Sequence, residues 1–262
     1  MAESSLQVNK SRLGGLKRIE LYGNPGTPEG RSKGGKKSTA LFQLNPQLAK
    51  ATGFIIRKEI KYPERSSELA EFIGIMLGDG CLPGNHQLTI TFNNKTDCAY
   101  AEYIGNLLKK LFSIGYHIRK RKDSNGADIV VSSSNLVEFL LKQGLIAGNK
   151  VKHQVGIPYW VYGKSEYKIA CLRGLMDTDG GLYLHKYHSN GSVYRYLKLC
   201  FGSRSKPLLN FVFGTLQKLS FKVYLNSAHV SIYSIPEVKR YFEEIGFHNS
   251  KHIEKFKKHF GH

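Results

Sequence analysis

The chain has 262 residues, 41% of them hydrophobic and 11% aromatic, enough apolar surface for a substantial core in one or two domains. Lys and Arg number 39 against 20 Asp and Glu, a formal charge of +19, which points to a polyanionic partner, nucleic acid before all others. No apolar run approaches the roughly 18–20 residues that span a bilayer, and the basic N-terminus lacks the apolar core of a secretory signal, so an intracellular, non-membrane protein is expected. The four cysteines (Cys81, Cys98, Cys171, Cys200) lack metal-binding spacing and read as reduced thiols.

Residues 1–65 carry 13 Lys and Arg against 5 Asp and Glu, and four of the eight prolines. Their centre, YGNPGTPEGRSKGGKKS, reads as an irregular basic arm, because Pro and Gly at this density interrupt regular elements. Arg31, Lys33, Lys36 and Lys37 can lie along a phosphate backbone, or the arm can be a solvated tail. Residues 47–60 fit a short helix or a strand.

A first repeat is assigned to 66–155. It opens with an apolar helix that Ser66 or Ser67 can cap. The alternating HQLTITF then predicts a strand, the amphipathic DCAYAEYIGNLLKKLF a helix, YHIRKRK and ADIVVSS a hairpin about DSNG, and NLVEFLLKQGL a closing helix. After a linker at 156–165 holding the only Trp, a second repeat at 166–262 runs through YRYLKLCF, PLLNFVFGTLQKLSF, FKVYLNSAHVSIYS and PEVKRYFEEIGF in the same order. The fold class expected is α+β, two pseudo-symmetric αββαββα units whose antiparallel sheets leave one face free. That face carries His117, Arg119 and Arg121 or else Lys120 and Lys122, depending on parity, with Lys198 in the second unit.

The opening helices of the two units are the most informative stretches. FIGIMLGDG (72–80) and LRGLMDTDG (172–180) lie 100 residues apart, and both end in Asp-Gly. Small residues recur every four positions, at Ala70, Gly74 and Gly78 and at Ala170, Gly174 and Thr178, a spacing that lets two helices approach closely. Packed in parallel, they set Asp79 beside Asp179, and two adjacent carboxylates make a divalent-metal site. P-loop, GxGxxG and HExxH motifs are absent.

The two stretches resemble the motifs of single-chain LAGLIDADG homing endonucleases, matching the nine-letter signature at six positions in LRGLMDTDG and three in FIGIMLGDG. Leu77 replaces the signature's first Asp, but the second, which carries the chemistry in the family, is kept as Asp79 and Asp179. The resemblance covers 66–262 and implies a saddle that binds a long, asymmetric duplex DNA site, as a monomer, and hydrolyses both strands. It implies two or more Mg²⁺ ions shared by the two Asp residues, with the carbonyls of Gly78 and Thr178 nearby. It further implies a lysine after each closing helix, Lys150 and Lys251, with His252 competing for the second place. A polar residue ordering water at the end of the first strand would be Asn94 and Ser203, with Thr96 and Arg204 as rivals, Arg204 also being a candidate DNA contact. The alternatives are an RNA maturase that binds group I intron RNA and a non-cleaving DNA-binding regulator.

Overall fold

The computed structural model describes residues 12–21, 23, 26–54, 56–122 and 124–261, apart from the side chains at 185, 187 and 195. The described residues form two compact units, divided between Arg57 and Lys58. In the first, helices occupy 12–21 (α1), Pro28–Leu44 (α2) and Pro46–Ala51 (α3). The irregular arm expected at YGNPGTPEGRSKGGKKS is thus corrected, since most of it is helix. Thr27 caps α2 by accepting the Gly30 amide at 3.0 Å, and Pro28 sits at the start, where its missing N–H removes no helical bond. Helix α2 buries no residue, and Arg31, Lys33, Lys36 and Lys37 are all exposed to solvent.

The second unit contains the two repeats. The first runs α4 (Ser67–Gly78), β1 (Gly80–Cys81), β2 (Gln87–Asn93), α5 (Cys98–Phe112), β3 (His117–Lys120), β4 (Gly126–Ser132) and α6 (Ser134–Lys142). A 3₁₀ turn at Tyr159–Gly163 leads into α7 (Ser165–Thr178), β5 (Gly180–Ser189), β6 (Ser192–Gly202), α8 (Lys206–Lys218), β7 (Tyr224–Leu225), β8 (His229–Ile232) and α9 (Ile235–Glu244). The αββαββα order appears twice. A further helix, α10 (Ser250–Phe260), was not anticipated, and Lys251 lies in its first turn. Position 123, in the expected DSNG turn, falls outside the described residues.

Each repeat makes an antiparallel sheet, ordered β1-β2-β4-β3 and β5-β6-β8-β7. Alternation decides the faces: Leu88, Ile90 and Phe92 of β2 and Ala127, Ile129 and Val131 of β4 enter the core, as do Leu197, Leu199 and Phe201 of β6. The opposite face of the first sheet carries Thr91, Asp128 and Arg119 in a row across three strands, since Thr91 and Arg119 are both register partners of Asp128. Lys120 lies on the other parity, paired with Ala127.

A single hydrophobic core joins the repeats, and α4 against α7 is its centre. The helices run parallel in close approach, Gly74 lying on the backbone of Cys171 and Leu175, and Gly174 on that of Glu71 and Ile75. A methyl group at either glycine would overlap a main-chain carbonyl, which is why the small-residue spacing exists. At the end of the seam Gly78 faces Thr178, whose hydroxyl donates to the carbonyls of Gly174 and Leu175 at 3.0 Å.

Candidate active site

The parallel seam ends in Asp79 and Asp179, the C-caps of α4 and α7. Both main chains are tied to the adjoining sheet, Thr91 N–H donating to the Asp79 carbonyl at 3.2 Å and Gly202 N–H to that of Asp179 at 3.3 Å. Each aspartate is therefore fixed by its own repeat, while the seam brings the two together.

Their electrostatics are those of a crowded acidic pair. Burial, and then the charge of Asp179, push Asp79 up to about 7, against the opposing pull of Lys150 and Lys251. Asp179 is also raised, by burial, with Lys150 pulling the other way. Two desolvated carboxylates held close are short of positive charge, which suits a divalent cation. The donor chemistry agrees on the carbonyl side: the Lys150 ammonium donates to the carbonyl oxygens of Leu77 at 2.9 Å, of Met76 at 3.4 Å, and of Gly78. A cationic group thus already lies against the carbonyl expected among the metal ligands. Burial pushes the Lys150 ammonium below its ordinary range, although both aspartates favour its charge.

A cleft of about 440 Å³ opens beside this cluster, lined by Gly78, Lys150, Asp179, Ser203, Arg204 and His229 among others. Ser203, one of the two expected water-ordering residues, thus lies with Asp179 and Lys150. A second cleft continues from Asp179 over the outer face of the second sheet, past Tyr183, Lys198, Ser231 and Tyr233. Asn94 sits just beyond β2 and its amide donates to the Asn125 carbonyl at 2.7 Å. Thr96 bonds Asp97.

Lys251 is placed differently from Lys150. Its Nζ is 3.3 Å from the carboxylate of Asp97, a residue of the first repeat, and its charge still reaches Asp79. His252 is buried against the Asp177 carbonyl at 3.4 Å, and burial pushes its imidazole down to about 4, so it turns away from the aspartate pair as a neutral core group.

Two arrangements have no counterpart in the sequence reading. One is the pairing of Asp97 with Lys251. The other is a cluster of the buried Glu71 and Asp177 with the exposed His248, whose ligand atoms lie within 4.8 Å of one another. Its oxygens are already bonded: Glu71 accepts from Tyr103 at 2.7 Å, approaches His248 Nδ1 at 2.6 Å and pairs with Arg173 at 3.4 Å, and Asp177 accepts the amides of His248 and Asn249. The cluster joins α4, α7 and the start of α10, and it fixes the loop that delivers Lys251. The Asp177 in the DTDG signature was the available signal, since a second acidic residue so close to the first needs buried partners.

No protein-family model matches the sequence, and no curated protein matches it significantly. Solved structures do resemble it. The meganuclease I-SmaMI bound to uncleaveable DNA is 12% identical, over 73% of this chain and 89% of that one, with a TM-score of 0.50. A mutant of the same meganuclease gives 12% identity, 77% and 94% coverage and a TM-score of 0.50. The N-terminal LAGLIDADG domain of WhiA is 16% identical, over 71% and 83%, with a TM-score of 0.45. At these identities the likeness concerns the fold. With its two motif helices side by side in one chain, the protein has the fold of the single-chain LAGLIDADG homing endonucleases.

Proposed function

We propose that this chain is a divalent-metal-dependent endonuclease acting on duplex DNA. The observation that carries this reading is the meeting of Asp79 and Asp179 at the end of a glycine-locked seam, with Lys150 against the same carbonyls. Its charge of +19 and the similarity of its fold to a DNA-bound meganuclease support the choice of substrate.

In this reading Asp79, Asp179 and the carbonyls of Gly78 and Thr178 hold the cations, Mg²⁺ among the candidates. Bound divalent ions supply charge neutralisation at the phosphate and an activated water. The chain's own groups do the rest. The Lys150 ammonium, held against the carbonyls that end α4, faces the phosphate charge that grows during hydrolysis. Ser203 offers a hydroxyl in the cleft to orient water. Lys251 acts on the Asp79 side, and Lys198 and Arg204 bind phosphates next to the cleft. Arg31, Lys33, Lys36 and Lys37 of α2 add salt-sensitive phosphate contacts.

The test is incubation of the chain with a randomised duplex library in Mg²⁺, with Ca²⁺ and EDTA controls, and sequencing of the ends. Discrete double-strand cuts that vanish in Asp179→Asn support the reading. Sequence-selective retention of duplexes without cutting overturns the enzyme and leaves a DNA-binding protein.

A further inference from the structure

We propose that Arg119 and Arg121 form a pre-set guanine-reading pair on the outer face of the first sheet, held in place by Asp128 and Thr91. The inference rests on the DNA-binding reading above and adds which residues select bases in one half of the site.

The arrangement is built by register. Thr91 on β2, Asp128 on β4 and Arg119 on β3 stand opposite one another, and Arg121 follows one outward position later. Asp128 is almost wholly buried, yet it lies on the face away from the core, beneath the two guanidinium groups. Its Oδ2 accepts from Arg119 Nη2 at 3.0 Å and its Oδ1 from Arg121 Nη2 at 2.7 Å. Thr91 Oγ1 donates to Oδ1 at 2.8 Å and accepts from Arg121 Nη2 at 3.1 Å. Burial by itself would raise the Asp128 carboxyl, but the hydrogen bonds from Arg121, Thr91 and Arg119 hold it below its ordinary value, so it stays charged.

Three consequences follow from this geometry. Both arginines remain at least half exposed, at 57% and 50%, so the clamp takes one edge of each fork and leaves the rest toward solvent. A long side chain fixed before binding loses less conformational freedom on forming a base contact than a mobile one does. The shared carboxylate also repels phosphate oxygens, while the neutral edge of guanine offers two acceptors, O6 and N7, that match a guanidinium fork. The pair therefore favours a base over the backbone. Over the second sheet, the cleft beside Asp179 is lined instead by Tyr183, Lys198, Ser231 and Tyr233 among others.

The experiment is selection of bound sites from a randomised duplex library by the full chain in Ca²⁺. Single-base competition follows for the wild type, Arg119→Ala, Arg121→Ala and Asp128→Asn, each checked for an unchanged melting temperature. The expected wild-type site has two guanines in one half. Each arginine variant loses discrimination at one of them by roughly 5- to 150-fold, and Asp128→Asn weakens both. Equal weakening of every sequence by the arginine variants, with the salt slope reduced by about one each, identifies phosphate contacts and overturns the proposal. An unchanged selected site in both arginine variants overturns it as well while leaving DNA binding intact. Failure of the wild type to retain any duplex overturns this inference and the DNA-binding reading together.

Discussion

Lys251 and Asp97 meet across the boundary between the repeats, Nζ 3.3 Å from the carboxylate, while the pseudo-equivalent Lys150 lies against the carbonyls that end α4. The repeats place the same residue type in two environments, and the second repeat has Ser205 where the first has Asp97. Ser205 spends its hydroxyl on the Val155 carbonyl at 2.6 Å. The two sites are chemically unequal.

Unequal lysines give unequal strands. Lys150→Met is expected to slow cleavage by about 10²–10⁴-fold, the range for loss of a charge-stabilising or proton-transferring group. Lys251→Met should have the smaller effect, because Asp97 already shares its charge, and should leave nicked circles from supercoiled plasmid substrate. Agarose-gel time courses of nicked against linear product measure this. Equal accumulation of nicks in both variants would refute the asymmetry.

The seam glycines are set by contact and not by flexibility. Gly74→Ala places a methyl group into the Cys171 carbonyl and is expected to destabilise by about 2 kcal/mol or more, as overpacking does. Gly214, inside α8 with open space around its missing Cβ, is the control: Gly214→Ala should stabilise by about 0.5–1 kcal/mol through helix propensity. Thermal melts of both variants test the opposite signs.

Asp79, raised to about 7, makes the metal-free protein sensitive to pH. A raised carboxyl contributes stability that is complete below the ordinary carboxylate range and is lost as pH rises through about 7. Melting temperature without metal should therefore fall as pH rises from the ordinary carboxylate range to about 7 and level off above it, less steeply in Asp79→Asn. Asp177, also raised to about 7, leaves part of the slope. Mg²⁺ binds the ionised form, so its affinity and the cleavage rate should rise over the same interval. Calorimetry and initial rates across the range check both directions.

Asp177→Leu copies the Leu77 of the first repeat into the second. It leaves the part-buried amide of His248 and the buried amide of Asn249 without their acceptor. The expected cost is about 2–4 kcal/mol, a fall on the order of 10 °C in melting temperature. Circular dichroism melts measure it, and an unchanged melt would show that water satisfies those amides instead.

The seam and the aspartate pair were legible because glycine at a spacing of four and a terminal Asp-Gly occur twice at one offset. The sheets were legible because Leu88, Ile90 and Phe92 alternate with polar neighbours. The Asp128 clamp was not, although both arginines were singled out. The hairpin that pairs β3 with β4 is local, but the pairing of β2 with β4 that brings Thr91 to Asp128 spans 37 residues and depends on strand order. Asp97 escaped for the same reason, lying 154 residues from its lysine. In the N-terminal segment Gly34, Gly35 and two prolines argued against a helix, whereas Thr27 and Pro28 together start one. Proline interrupts a helix from its interior and assists it at its first position.

The close packing of Gly74 on Cys171 and of Gly174 on Glu71 also has a consequence in time, for these partners lie about 100 residues apart in the chain. At a synthesis rate of roughly 5–20 residues per second, α4 leaves the ribosome some 5–20 s before α7. During that interval the rest of the first repeat emerges, and Gly74 lacks the Cys171–Leu175 backbone that covers it. The nascent chain is then most open to association with another copy of itself, and slowing translation between the repeats should lengthen that exposure.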